Sequence, residues 1–383
     1  MAKKFLEKDV FTKAVERLMK VYTEGHRVVI SFSGGKDSGV LFELAYIAAE
    51  ATGNLPVEVV MRDDEIMYPG TFEYAERVAR RPGVNFHWIS ARQGQINIFN
   101  RDNPFFWVFD PYLKPEQWVR QPPADLIEWD LENNDMYTMV NPTKYPNPPG
   151  KKLVSVVGIR TQESQNRNFA ILTARGPRSY SSKDKRMFML YPIYDWTVSD
   201  IWKAIKDNHW DYNEAYDVLM KMGIRAEQQR IALIAMTPMG VPNLQLAAKA
   251  WPRWFDRVCE RLPGVHSVVN YGDRALLPLR RAGESWEDCF KRTCIETAPT
   301  WIKNRSIFAM KYLLSKHSNH SESNFPEVEK CRVCKASWKI MAEVMYTGDP
   351  FKVKFPWLAN LEPYMFRPED TRRWPKSHLR SKN

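Results

Sequence analysis

Val28-Val-Ile-Ser-Phe-Ser-Gly-Gly-Lys-Asp-Ser-Gly-Val40 (VVISFSGGKDSGV) decides how the chain is read. An apolar run stops at small residues, a lysine and an aspartate, and a second apolar pattern begins at once. Such a strand, turn and helix directs free helix N–H groups at whatever the turn holds, which suits phosphate. Two familiar registers fail. In G-x-x-x-x-G-K-[ST], with Gly35-Lys36 as the G-K pair, the first glycine falls on Ile30 and the Ser/Thr on Asp37. In G-x-G-x-x-G, the adjacent Gly34 and Gly35 leave no third glycine in register.

Outward from this turn the pattern alternates between strand and helix. Helical spacing of Val10, Phe11, Ala14, Leu18 and Met19 predicts an amphipathic helix over 9–22, before a strand at 27–32. A helix over 39–51, a strand at 56–61, a helix over 71–80 and a strand at 84–90 follow. Regular pattern returns with strands at 153–157 and 187–191, a helix over 161–174 between them, and helices at 197–208 and 213–222. Alternation of this kind calls for an α/β fold with a mainly parallel sheet flanked by helices. Residues 95–150 interrupt it with an insertion rich in Pro, Trp and Asn, whose order would have to come from its aromatics. It reads as a surface excursion, a lid or a partner-binding face. Beyond 225 the chain reads as mainly helical, through 245–261, 285–297, 300–315 and 337–346. The expected domains are 1–235, 236–365 and a basic tail over 366–383.

The turn's residues have separate physical uses. Gly34 and Gly35 let the backbone approach phosphate oxygens, Lys36 adds a point charge, and the Ser33 and Ser38 hydroxyls donate hydrogen bonds. Asp37 suits a Mg²⁺ shell or a helix cap. Ser33-Gly34-Gly35-Lys36-Asp37-Ser38 resembles the pyrophosphate loop (PP-loop) of the ATP pyrophosphatase superfamily. Gly158-Ile-Arg160-Thr-Gln-Glu163-Ser164-Gln-Asn-Arg167 resembles a segment of that superfamily's phosphoadenosine phosphosulfate (PAPS) reductase-like branch. There Arg160 can clamp a phosphate or sulfate with its planar fork, and Arg167 shares a helical face with Glu163. Tyr191-Pro-Ile-Tyr-Asp195-Trp196-Thr197-Val-Ser-Asp200-Ile-Trp202 and the Tyr212-Asn213 and Tyr216-Asp217 pairs look like the same branch. We read the former as architecture, with Thr197 as N-cap and Asp200 at N3.

The resemblance covers roughly residues 20–225 and implies a five-stranded, mainly parallel sheet binding ATP or a related adenine nucleotide with Mg²⁺. Ser31, Asp64 and Gly158 complete the candidate nucleotide-binding set with Ser33, Gly34, Gly35, Lys36, Asp37, Ser38, Arg160 and Arg167. Lys36 and Arg160 are the candidate catalytic groups. Where the branch shows D-T-G, this chain has Asp63-Asp64-Glu65, and Tyr68-Pro69-Gly70-Thr71 follows. With Trp107-Val-Phe-Asp-Pro and Pro115-Glu116-Gln-Trp118-Val-Arg120, that wording is similar to an immunoglobulin-binding regulator A-like subgroup. Resemblance to it implies a ParB/sulfiredoxin-like protein partner. The E-C-G-x-H segment of the branch's reductases is missing, since neither Cys331 nor Cys334 has glycine and histidine neighbours. Thiol-dependent PAPS reduction is therefore not expected.

Lys plus Arg outnumber Asp plus Glu by 56 to 45, which favours anionic partners such as nucleotides or nucleic acid. The tail from Phe366 concentrates six basic residues, and Trp251-Pro-Arg-Trp254-Phe-Asp-Arg257 could form an aromatic-basic surface, although ordinary helix packing accounts for it as well. The apolar patterning contains no membrane span and the N-terminus no signal core, so a cytoplasmic protein is expected. Five cysteines do not make a disulfide framework. Cys331-x₂-Cys334 suits zinc, or an iron–sulfur cluster, completed by His317 and His320 or by Cys289 and Cys294; free thiols are the alternative. Cys289 and Cys294, five apart on a predicted helix, do not face one way.

The chemistry open to such a loop is cleavage of ATP between the α and β phosphates, adenylating an acceptor and releasing pyrophosphate. The alternatives are a non-catalytic nucleotide-sensing regulator and a sulfonucleotide-dependent sulfotransferase or reductase.

Overall fold

The computed structural model describes residues 7–91, 94–130, 145–163, 178–180, 186–231, 234–349 and 354–355, with positions 169 and 171. The chain divides into two compact units, residues 1–93 with 120–233, and residues 94–119 with 234–383. The insertion expected over 95–150 is thus shared between them.

Among the described residues the first unit has seven strands: β1 (Arg27–Ser31), β2 (Val57–Arg62), β3 (Val84–Ala91), β4 (Ile127–Asp130), β5 (Leu153–Val157), β6 (Arg178–Tyr180) and β7 (Met187–Leu190). Their order is β4-β3-β2-β1-β5-β7-β6, all parallel except β6, which runs antiparallel to β7. The sheet is therefore larger than the five strands expected. The five legible in the sequence are its centre, and β4 and β6 are short edges drawn from segments without a strand pattern. An edge strand completes its ladder on a neighbour, so it forms without a strong pattern of its own.

Period two divides the central strands cleanly. Val28 and Ile30 of β1 join Val57, Val59 and Met61 of β2 in one core, whereas Val29, Val60, Ile89, Tyr145 and Leu153 form a second cluster. The first core is covered by α1 (Val10–Thr23), α2 (Lys36–Ala51), α3 (Thr71–Ala79) and α4 (Val198–Asp207). α5 (Ala215–Lys221) follows α4. Thr197 caps α4 and exchanges hydrogen bonds with Asp200, as its sequence predicts. Asp195 accepts both ends of the Arg17 guanidinium (2.9 and 2.7 Å), and the Trp196 indole N–H donates to the Val10 carbonyl, so this segment anchors α1.

One cross-strand cluster makes stability depend on pH. His87 of β3 places Nδ1 2.8 Å from Glu128 Oε1 and Nε2 3.3 Å from Glu58 Oε1. Hydrogen bonds to Glu128 and then Glu58 hold its pKa up at about 9. A raised folded-state value means the stabilisation is complete below the ordinary histidine pKa of about 6.5 and is lost as pH rises through about 9. Discounted for solvent screening, the loss should be about 1 kcal/mol. Urea unfolding at both ends of that window measures it, and His87→Gln should flatten the slope.

The second unit is mainly helical: α6 (Val241–Ala250), α7 (Pro252–Arg261), α8 (Val265–Tyr271), α9 (Trp286–Phe290), α10 (Thr300–Ser318) and α11 (Trp338–Met345). The helix expected over 245–261 is two, because Pro252 has no N–H to continue α6 and its fixed φ instead starts α7. α9 runs on into a π-helical segment, Lys291–Glu296. A small antiparallel ribbon of Gly94–Ile96 and Phe105–Trp107 belongs to this unit. Its order comes from buried Phe106, Trp107, Val108 and Phe109, and from arginine contacts that the sequence did not announce. Arg261 donates to the Trp107 carbonyl (2.6 Å), and Arg101 donates to the Tyr346 and Thr293 carbonyls (2.8 and 2.9 Å). Among the described residues, no helix is long and apolar enough to cross a membrane.

Candidate nucleotide site at the sheet switch point

Strand order fixes where a ligand can sit. The chain leaves β1 toward β2, β3 and β4, then returns to the other side of β1 as β5. Loops after β1 and β5 therefore depart in opposite directions, and a crevice opens between them at the carboxyl ends of the strands. Lys36 comes from the first loop and Arg160 from the second.

The β1 loop is held from below. Gly34 has φ +70°, and a Cβ there would lie 2.5 Å from Thr71 Cγ2, so both its backbone conformation and its surroundings require glycine. Asn213, fully buried, donates to the Gly34 carbonyl (2.9 Å) and to Thr71 Oγ1 (3.1 Å). The Tyr216 hydroxyl accepts from the Lys36 amide at 2.9 Å. Ser38 Oγ donates to the Gly35 carbonyl (2.9 Å), accepts from the Ser33 amide (3.2 Å) and lies 3.1 Å from Ser33 Oγ. The loop's shape is thus held by the protein's own groups. Gly158 faces it closely, since a Cβ there would come within 3.1 Å of the Asp37 carbonyl oxygen.

The resulting cleft has a volume of about 640 Å³ and is lined by Ser31, Ser33, Gly35, Lys36, Asp37, Ser38, Gly158 and Arg160, together with Gln162, Glu163, Glu227 and Arg230. Lys36 and Arg160 are each only 3% exposed. Both meet Asp37: Lys36 Nζ lies 3.4 Å from Oδ2, and Arg160 Nε donates to Oδ1. Lys36 Nζ also donates to the Gln229 carbonyl at 3.0 Å. Burial pushes the Lys36 ammonium below the ordinary lysine value, and the Asp37 charge pulls it back. Asp37 does not cap α2, whose N-cap is Gly35; its carboxylate holds the two cations.

Most of the expected set therefore converges. Gly34 supports the turn from behind and Asp64 stands apart; neither lines the cleft, and Asp64 instead pairs with Arg62 at 2.7 Å. Arg167 and Ser164 lie outside the described residues. The helix expected over 161–174 begins as a 3₁₀ turn, Thr161–Glu163, and the rest falls largely outside them as well. Tyr216 and Asn213 gained no site role from the sequence, although their Tyr-Asn and Tyr-Asp pairing marked them. Arg230, Glu227 and Gln229 left no signal, because their nearness to Lys36 exists only once the segment after α5 folds back.

In the second unit, ligand atoms of His317, His320, Cys331 and Cys334 all lie within 4.8 Å of one another. Cys289 and Cys294 do not join them. Both are fully buried in the α9 region, and the Cys294 thiol donates to the Ala342 carbonyl at 3.6 Å.

A glycine-lysine turn between the central strand and its helix, at the switch point of a parallel sheet, defines a PP-loop α/β protein. The family model for the phosphoadenosine phosphosulfate reductase domain matches residues 27–221, a little over half of the chain, and the chain belongs to that family. It is 26% identical over 300 residues to YbdN of Escherichia coli (strain K12), an uncharacterised protein, across 70% of this chain and 71% of that one. Among solved structures it is similar to the FMN adenylyltransferase of Candida glabrata, at 14% identity and a TM-score of 0.36. That match covers 54% of this chain and spans only 57% of the adenylyltransferase. The PAPS reductase of Candida auris, solved as a phosphate complex, matches at 13% identity and a TM-score of 0.33, covering 57% of this chain and 94% of that one.

Proposed function

We propose that the cleft binds ATP, or a related adenine nucleotide, with Mg²⁺, and that ATP is cleaved between its α and β phosphates to adenylate an acceptor with release of pyrophosphate. The observation that carries this reading is the meeting of Lys36 and Arg160, from loops on either side of the switch point, on the single carboxylate of Asp37. Two buried cations sharing the Asp37 carboxylate, with Glu163 also 3.6 Å from Arg160, are placed to make charge-assisted bonds to the more numerous oxygens of a polyphosphate. Lys36 and Arg160 would then neutralise charge on the departing pyrophosphate, while the Ser33 and Ser38 hydroxyls and the α2 amides orient it. Alignment and charge neutralisation are the main sources of acceleration in such a displacement. Asp37, Glu163 and Glu227 line the same cleft and offer the hard oxygen ligands that Mg²⁺ takes; the ion would supply further neutralisation of the phosphates.

No cysteine occurs in residues 1–93 or 120–233, so the groups this unit offers to the reaction are its cations, hydroxyls and carboxylates. A formal net charge of +11 makes nucleic acid the first acceptor to assay, ahead of protein partners. The test is ATP-dependent pyrophosphate release with each acceptor, comparing wild type with Lys36→Ala and Arg160→Ala. Loss in both variants supports the reading. ATP binding without release under any condition would replace it with a nucleotide-sensing regulator, and tighter binding of PAPS than of ATP would replace it with sulfonucleotide chemistry.

A further inference from the structure

We propose that the helical unit carries a structural zinc(II) ion bound by His317, His320, Cys331 and Cys334. The four come from two places. His317 lies in the last turn of α10 and His320 just beyond it, while Cys331-x₂-Cys334 forms a turn immediately before α11. His320 Nε2 is 3.2 Å from Cys331 Sγ, and His317 Nδ1 is 3.6 Å from Cys334 Sγ. A tetrahedral zinc, with Zn–S of about 2.3 Å and Zn–N of about 2.0 Å, separates neighbouring ligand atoms by about 3.3–3.8 Å. The cluster thus has nearly the dimensions the ion requires.

The outer contacts select the ligand atoms. His320 Nδ1 lies 2.6 Å from the Lys316 carbonyl, and His317 Nε2 lies 3.2 Å from the Ser323 carbonyl. A carbonyl can only accept, so these nitrogens carry the protons. The lone pairs are left on His320 Nε2 and His317 Nδ1, the two atoms that face the sulfurs. Metal-bound histidines are held by this kind of carbonyl contact, which fixes both tautomer and ring direction. The Val333 amide donates to Cys331 Sγ at 3.4 Å, as suits a sulfur bearing negative charge.

Local packing gives the site a purpose. None of residues 319–333 is buried, and the segment contains no helix or strand. Irregular segments of this length are uncommon unless something closes them. Here Phe325 rests on His317 and Trp338, and the four ligands close the base of the loop, tying the end of α10 to the start of α11. Four protein ligands leave no open position, so the ion is structural rather than catalytic.

Untagged protein from zinc-replete cells, purified without chelator, should contain about one zinc per chain by elemental analysis. The Cys331→Ser/Cys334→Ser variant should hold less than about a tenth of that, while Cys259→Ser, in α7, keeps it. Should the double variant fail to fold, titrating wild-type thiols with a mercurial in the presence of a zinc-sensitive dye reads the same link, because zinc should leave as thiols react. Cobalt(II) exchanged into the site should show the intense visible absorption of a tetrahedral thiolate complex. Wild-type protein with less than about 0.2 zinc per chain, full zinc retained in the double variant, or iron with acid-labile sulfide would each overturn the proposal.

Discussion

Lys36→Ala is expected to lower ATP-dependent pyrophosphate release by about 100- to 1,000-fold, the usual effect of removing one preorganised charge-stabilising donor. The fold should survive. Asp37 keeps Arg160 as its partner, and the bond from the Lys36 amide to Tyr216 belongs to the backbone, so the loop's shape does not depend on the side chain. Lys36→Arg should recover only part of the rate, because a planar fork does not fit where a compact ammonium donates to the Gln229 carbonyl. Steady-state pyrophosphate release, with circular dichroism as the fold control, checks both variants. Unchanged release in a folded Lys36→Ala protein would remove the loop from the chemistry.

Asp63→Ala is expected to destabilise the first unit by about 3–5 kcal/mol, the cost of breaking a buried ion pair from one side. The Asp63 carboxylate is 1% exposed and accepts from the Trp88 indole (2.8 Å), the Glu65 amide (2.9 Å) and Arg120. Truncation removes one acceptor from each of these three donors and leaves the Arg120 cation, stacked on Phe72, without this carboxylate. For a unit of this size the melting temperature should fall by about 10 °C, and Asp63→Asn, which keeps an acceptor for the indole, should lose about half as much. Differential scanning calorimetry measures the difference. An unchanged melting temperature in Asp63→Ala would show that these contacts contribute nothing net.

The same acidic triplet shows where sequence reasoning reached its limit. Asp64 was a reasonable nucleotide ligand by its place after β2, yet it turns to Arg62 while Asp63 ties β2 to β3 and Arg120. Which of two adjacent carboxylates faces a pocket is a matter of strand pleat and of what lies beyond it, and a lone segment carries neither. Asp37 teaches the same lesson. Its position suggested a Mg²⁺ ligand or a cap; Gly35 takes the cap position of α2, and the carboxylate is shared by the neighbouring Lys36 and by Arg160 from 123 residues away.

Local rules did determine a great deal. Hydrophobic period and the Gly34-Gly35 turn were enough to place the five central strands, the helices that follow β1, β2 and β7, and the phosphate-type loop, because each depends on residues within a few positions of one another. Cys331-x₂-Cys334 and His317-x₂-His320 were equally visible as pairs. What the sequence left open was every other choice between distant partners: whether the cysteine pair meets those histidines or Cys289 and Cys294, that residues 94–119 pack with the helical unit, that β4 and β6 extend the sheet, and that Glu227 and Arg230 line the cleft with Lys36 and Arg160. Tertiary structure made those choices because the contacts join segments tens to hundreds of residues apart. They form where strand order reverses at β1, where arginines find buried carbonyls, and where helix ends converge, none of which is encoded at any one position.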